Sequence, residues 1–348
     1  LLLGFAEIPF KLFYEQYILF PLLFLFITSL GANSRNMELI STLNYDEVSD
    51  LTGFEKDGRE FAVMGLRDGT AIIDITDPED PYEITQISGG NSIWRDVKYY
   101  DNTLYIGTMA DDGVKVVTVI NPDYPTLVHT IDDFNYSLNL YIDNGYLYVM
   151  GSDSEEGDIL IYSLETPTNP VFVNAWTGKY CTNITIVNDI LFGTAIYDNS
   201  IVVLDVSDKN NIEELNTFTV SDYPKDIAGY TTDTGTTMLF VSHEAMGGNI
   251  RAYGYWDSFF SSDPEYFGHW NSPNHENASA HGLYIKPETD HLYVSYYTEG
   301  LRILDVSAPG CLREFAYYDT TDLESLYNGL WGVYPDLPSG NIIVSDIE

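Results

Sequence analysis

The chain repeats itself. One unit stands clearest at residues 281–319, HGLYIKPETDHLYVSYYTEGLRILDVSAPGCLREFAYYD, where four runs rich in Tyr, Val, Ile and Leu are separated by turn-forming PETD, TEG and APG. Short β-branched and aromatic runs bounded by Gly, Pro and Asp read as strands joined in hairpins, so the unit is a four-stranded antiparallel meander, with strands A to D. The third run serves as a ruler. Equivalent positions are Asp74, Thr118, Ser163, Asp205, Gly254 and Asp305, at successive separations of 44, 45, 42, 49 and 51 residues. A four-strand unit recurring every ~40 to 50 residues is the pattern of a β-propeller blade. One such sheet cannot bury both its faces, so the blades stack around a channel and close into a ring.

Six units follow in order at residues 48–87, 95–131, 139–174, 182–220, 226–269 and 281–318, the fifth carrying an insertion at 256–266. Residues 330–334 and 341–346 read as strands A and B of a seventh, and MELISTL at 37–43 resembles an outer strand such as TLVHTI at 126–131. The expectation is an all-β, seven-bladed β-propeller of four-stranded antiparallel blades. Its last blade is incomplete, closed by an N-terminal strand, with the missing third strand expected beyond Glu348. The unbroken repeat makes residues 37–348 one domain.

Ahead of it, ILFPLLFLFITSL at 18–30 is followed by Gly31-Ala32 and a polar stretch, the pattern of a secretory signal segment spanning residues 1–32. An uncleaved anchor and a buried helix are the competing readings. The run is short for a transmembrane helix.

Lys and Arg number 15 against 53 Asp and Glu, a formal charge of −38. Such a surface repels phosphate backbones and anionic lipid, which excludes nucleic acid as a partner and opposes membrane contact by the propeller itself. Solubility and cation binding are its two positive readings. Cys181 and Cys311 fall at opposite rims in the blade scheme, out of reach of each other, and are expected as free thiols.

D–A connectors and B–C turns fall on one rim, and the candidate chemistry gathers there. The start of each A strand points at the channel mouth, placing Asp96, Asn139, Asn183, Asp226, His281 and Trp331 in a ring that suits a cation, a small polar ligand or ordered water. The B–C turns carry acids in six blades, among them Asp68, Asp111, Asp112, Glu156, Asp198 and Glu299. Turn geometry alone favours Asp, so this is also the expected background of a hairpin-rich chain. Within SDSEEGD at 152–158, Asp153, Glu155 and Asp158 form the best candidate Ca²⁺ site, though without EF-hand spacing. Histidines concentrate on the fifth unit and its connection to the sixth, where His243, Glu244, His275 and His281 are candidate ligands of a transition metal such as Zn²⁺. Arg95 beside Asp96 reads as an ion pair locking neighbouring blades; His129 and His291 read as structural. No GxSxG, Walker loop, dinucleotide fingerprint or CxxC is present. Sequons at Asn135 and Asn277 sit in connectors and suit glycans in a eukaryotic host; a third, Asn183, begins an innermost strand where a glycan would not fit.

The ordered set GREFAVMGLRDGTAIIDITDP, WRDVKYYDNTLYIG, HGLYI, EGLRILDVS and WGVYPDLPSG resembles the LVIVD-repeat propellers called choice-of-anchor B proteins, over residues 45–348. The resemblance implies an extracytoplasmic propeller, often tethered by one of several C-terminal anchors, with no established catalytic activity. Blade 5 departs furthest from the family pattern. The reading is a secreted or cell-surface monomer that binds an extracellular protein or glycan through an acidic rim without catalysis. The alternative is a metal-dependent hydrolase or lyase at the corner between blades 5 and 6.

Overall fold

A computed structural model describes residues 2–5, 34–221, 223–256, 259–308, 310–321 and 326–347. The chain is an all-β propeller of four-stranded antiparallel blades, six of which are each one continuous meander. Their inner A strands are Val48–Lys56, Arg95–Tyr100, Asn139–Asp143, Asn183–Val187, Pro224–Thr231 and Leu283–Lys286. The D strands are Tyr82–Ser88, Thr126–Ile131, Val171–Trp176, Glu213–Thr219, Glu265–Trp270 and Arg313–Tyr318, the last of them flanked by a short fifth strand, Ser34–Arg35, on its outer edge. Seven repeat units had been expected, and six blades of this kind are found.

The remaining strands make a composite sheet in the order Leu330–Tyr334, Ile342–Asp346, Leu2–Phe5, Met37–Ser41. Met37–Ser41 takes the outer place, as its pattern predicts. The third place, expected to be filled from beyond Glu348, is filled instead by Leu2–Phe5, which pairs with Ile342 and Ile343 on one side and with residues 37–41 on the other. Inner strands touch one another in a closed circuit that returns from Leu330–Tyr334 to Val48–Lys56. Among the described residues no helix is long and apolar enough to cross a membrane; the apolar run at 18–30 lies outside them.

Turn chemistry explains the hairpins. Asp57-Gly58, Asp101-Asn102, Asn144-Gly145 and Asn188-Asp189 join A to B strands with both residues at positive φ, the backbone that two-residue hairpins require and that Asn, Asp and Gly tolerate. Between C and D strands a second device recurs. The outer strand carries one extra residue at Ile84, Val128, Val173, Leu215, Phe267 and Phe315, and the composite sheet repeats it at Ile40. Each is a β-bulge, which bends its strand and increases the local twist.

Buried apolar side chains form clusters shared by adjacent sheets. Phe192, Ile201 and Val203 of blade 4 meet Ile227, Leu239 and Val241 of blade 5, and Leu301, Ile303 and Tyr293 of blade 6 meet Leu330, Ile342 and Val344. Interfaces between blades, rather than one central core, therefore supply the hydrophobic stabilisation. The blade 5 insertion folds back into this scheme: Phe260 packs against Phe192 and Tyr255. Cys181 and Cys311 are both free, and Cys181 is buried.

Candidate functional site

The inner strands enclose a channel cavity of about 470 Å³. All six residues expected in the mouth ring, Asp96, Asn139, Asn183, Asp226, His281 and Trp331, line it. Most of their polar atoms, however, are occupied in fastening one blade to the next. Asp96 Oδ2 accepts from the Leu140 amide at 2.6 Å, Asn139 Nδ2 donates to the Thr182 carbonyl at 2.6 Å, and Asp226 Oδ2 accepts from the Leu283 amide at 2.7 Å. His281 Nδ1 lies 3.0 Å from the Trp331 carbonyl. Asn183 turns inward on its own strand, accepting from the Ile184 amide at 2.8 Å. The ring is thus a set of latches between blades, and what can meet a ligand is what the latches leave over.

Arg95 and Asp96 do not pair with each other. The Arg95 guanidinium donates to the Leu66 and Gly90 carbonyls at 3.0 and 2.7 Å, whereas Asp96 takes the Lys98 ammonium at 2.5 Å. Both side chains lock blades, through partners other than those expected. Asp50 stands 3.8 Å from Lys98 on the other side. Burial pushes the Asp50 carboxyl up to about 7, with Lys98 opposing and the Asp96 charge reinforcing the rise. Burial also raises Asp226 to about 6 despite its amide donors. Burial works against the Lys98 ammonium, but Asp96 and Asp50 outweigh it and hold Lys98 up at about 12.

At the mouth, three aromatic rings and three polar groups converge. Trp94 and Trp331 meet edge to face at 4.7 Å between centroids, and the His281 ring lies 4.5 Å from Trp331 and 5.0 Å from Tyr297. The Lys225 ammonium sits 5.0 Å over the Trp94 ring and 4.0 Å from Glu244 Oε2. Glu244 Oε1 accepts from the Tyr297 hydroxyl at 2.7 Å and stands 3.8 Å from His281 Nε2. Backbone irregularities aim these groups. Lys225 and Trp331 are the extra residues at bulges near the start of their A strands, and a bulge re-aims its side chain. Tyr297 has φ +41, an uncommon conformation for a bulky residue. It is held there by its carbonyl, which accepts from the Gly300 and Leu330 amides.

Burial first, and the Lys225 charge second, hold His281 down at about 4 despite Glu244. The imidazole is therefore neutral at pH 7. A carbonyl only accepts, so Nδ1 carries the proton toward Trp331 and Nε2 presents a lone pair. His281 is 7% exposed, and Nε2 has no hydrogen-bond partner; Ser295 Oγ, fully buried in the cavity wall, has none either.

The two metal proposals fare differently from the ring. Glu244 and His281 are brought together, but His243, next to Glu244 on its strand, turns toward Ser221, with Nδ1 at 3.1 Å from Oγ. The His275 side chain lies outside the described residues. The Ca²⁺ trio diverges. Asp153 reaches back to Asn135, accepting from its amide at 2.8 Å and its Nδ2 at 2.7 Å; Asp158 reaches forward to the Gly178 amide at 2.9 Å; Glu155 faces solvent. Among the described residues no group of three or more His, Cys, Asp or Glu is placed to hold a metal. Three of the rim acids are engaged, Asp198 with Lys179, Asp112 with Lys115 and Glu299 with Arg302, whereas Asp68, Asp111, Glu155 and Glu156 are exposed. Asn135 and Asn277 are exposed, as their connectors predict. His291 stacks on Phe315 at 4.3 Å within its blade.

Sequence reasoning missed Lys225, Tyr297, Ser295 and the pair Asp50 and Lys98. The scarcity of basic residues, 15 in 348, was the one signal that could have drawn notice to two lysines on inner strands.

No family model matches the chain, and no curated protein matches it. Solved structures do. A functionally unknown protein from Desulfotomaculum acetoxidans is 16% identical, with a TM-score of 0.58 over 88% of this chain and 92% of that one. The periplasmic gluconolactonase of Pseudomonas aeruginosa is 11% identical, with a TM-score of 0.58 over 80% and 88%. The β-propeller domain of Cps50 (Swd1) from Myceliophteria thermophila is 11% identical, with a TM-score of 0.59 over 89% and 99%. At such identities the likeness is one of fold, and neighbours this diverse agree on a β-propeller and on nothing further.

Proposed function

We propose that this chain is a secreted or cell-surface propeller of the LVIVD-repeat kind, its composite sheet serving as a seventh blade, and that it binds a small polar ligand, or the end of a larger one, at its channel mouth without catalysis. The observation that carries this reading is the pair of buried, unpartnered polar atoms on two residues that line one cavity, His281 Nε2 and Ser295 Oγ. Leaving a buried polar group unpaired costs about 1–3 kcal/mol, a cost that a bound hydroxyl or amide would remove. The rim supports the reading in a different way. Exposed Asp68, Asp111, Glu155 and Glu156 maintain a field that repels polyanions while the mouth does the recognising. A partner protein or glycan reaches this site by inserting a small group into it.

Titration of tryptophan fluorescence with a library of small polar compounds tests this, since Trp94 and Trp331 flank the mouth. A compound whose signal vanishes in Trp331→Phe supports the site. A library that perturbs the protein equally with and without Trp331 overturns it. One observation favours the alternative of a metal-dependent hydrolase or lyase, the 3.8 Å approach of Glu244 to His281. Elemental analysis decides between them: a stoichiometric transition metal in purified protein, lost in His281→Ala, would establish the metal site.

A further inference from the structure

Resting on the reading of the mouth as a ligand site, we infer that the ligand is a neutral polyhydroxylated molecule, such as an uncharged sugar unit, that donates a hydroxyl to His281 Nε2. Three features of the mouth define this class by complementarity.

Hydrogen bonding comes first. The latch to the Trp331 carbonyl uses Nδ1, which leaves Nε2 as a lone pair in want of a donor. The Lys225 carbonyl accepts from the Thr182 and Thr194 hydroxyls, but its ammonium makes no hydrogen bond among the described residues and has three N–H donors in want of acceptors; its side chain is 8% exposed. Ser295 Oγ can do either. A group that both donates and accepts at adjacent atoms satisfies all three, and a hydroxyl does so. Shape comes second: Trp94 and Trp331 present aromatic surface beside these polar atoms, the pairing of apolar wall and a few convergent polar groups that fits a ring with an apolar C–H face and a polar edge.

Charge comes third and excludes the alternatives. An anionic ligand would enter a channel already holding Asp96, Asp226, a partly ionised Asp50 and nearby Glu244 against Lys98, Lys225 and Arg95, with Lys98 committed to Asp96 and the Arg95 guanidinium to the Leu66 and Gly90 carbonyls. A cationic ligand seeking the aromatic face of Trp94 would meet the Lys225 ammonium already there. Both signs are opposed, and a neutral ligand is left.

The test uses saturation-transfer NMR and tryptophan fluorescence on the whole chain with matched probes: a panel of neutral methyl glycosides, glucuronate, glucosamine and simple amides. The expected result is binding by at least one neutral glycoside, weakened ten-fold or more in His281→Asn. That variant places an amide donor near the Nδ1 position and removes the Nε2 acceptor. Ser295→Ala, which leaves the latch untouched, is expected to weaken the same glycoside several-fold and keeps the test open should His281→Asn fail to fold. Binding confined to glucuronate, to glucosamine or to the amides would overturn the ligand class while leaving the mouth as a binding site. Silence from every probe would overturn both.

Discussion

Two stretches on the same rim carry dense polar chemistry, the turn at 152–158 in blade 3 and the mouth built by Lys225, Glu244, His281 and Trp331, and they end in opposite states. In the turn, Asp153 and Asp158 are drawn to opposite neighbours by backbone amides, and Glu155 is left in water. At the mouth, a bulged lysine and a latched histidine retain unmet hydrogen-bonding capacity in a buried setting. The contrast teaches that clustering of chemical groups along a chain is poor evidence for a site. Unspent capacity facing a cavity is better evidence, because it is the part of the polar inventory that folding has not consumed.

The largest effect expected on the channel side is that of Asp96→Ala. It strands the Leu140 amide and leaves Lys98 with only the distant Asp50, so denaturant unfolding should show a loss of about 3 kcal/mol. On the turn side, Asp153→Ala removes hydrogen bonds in an exposed loop and should cost about 1 kcal/mol. Equal losses would erase the distinction drawn between the two regions.

Lys225→Met sharpens the contrast from another direction. Its ammonium contributes no hydrogen bond to the fold, so stability should stay within about 1 kcal/mol of the parent or rise, even as ligand binding falls. A loss as large as that of Asp96→Ala would show that Lys225 is structural.

Protonation separates the regions further. Asp50 and Asp226 are raised in the fold, so their contributions are fully present below about pH 3.8, the ordinary carboxylate value, and are lost as pH rises through about 6 for Asp226 and about 7 for Asp50. Asp50→Asn should therefore gain in melting temperature relative to the parent as pH rises from 4 to 7, then level off. His281, held down at about 4, acts with the opposite sign: its contribution is complete above about pH 6.5 and is lost as pH falls toward 4. Nitrogen chemical shifts should show the Nδ1–H form down to about pH 5; an imidazolium already present at pH 6 would contradict the buried, neutral assignment. Asp153 is lowered, its Asn135 donors outweighing partial burial, so its contribution is present above the ordinary carboxylate value and is lost only in acid. Asp153→Asn should thus give a flat difference above pH 5. Smallest of all is the response to calcium. Millimolar Ca²⁺ should leave the melting temperature unmoved, and a rise abolished by Asp158→Asn would restore the turn as a metal site.

The fold was legible because hairpin chemistry is local. Asn, Asp and Gly at turn positions and alternating apolar runs between them recur at a fixed period, and even the strand at Met37 was visible from its likeness to other outer strands. Leu2–Phe5 was not, since LLGF carries no alternation and its partners on one side lie more than 330 residues away in number. At the site, equivalence between repeats correctly placed six residues around the channel, yet could not show which of their atoms were spent on latches. The bulges at Lys225 and Trp331 and the left-handed backbone of Tyr297 break the alternation that assigns side chains to faces. Sequence pattern fails where strand register slips, and that is where the mouth is built.

The bulge repeated in every outer strand has a consequence for crowded solutions. A flat peripheral strand is a template on which another chain can add, and a ring of blades presents many such strands at once. One extra residue in each, at Ile84, Val128, Val173, Leu215, Phe267 and Phe315, curls the perimeter, and Ser34–Arg35 covers part of the sixth blade's edge, so that among the described residues each of these outward runs is bent or covered. Tyrosine-rich and strand-rich throughout, the chain is thereby shielded from fibril-like growth by a device written into its own period.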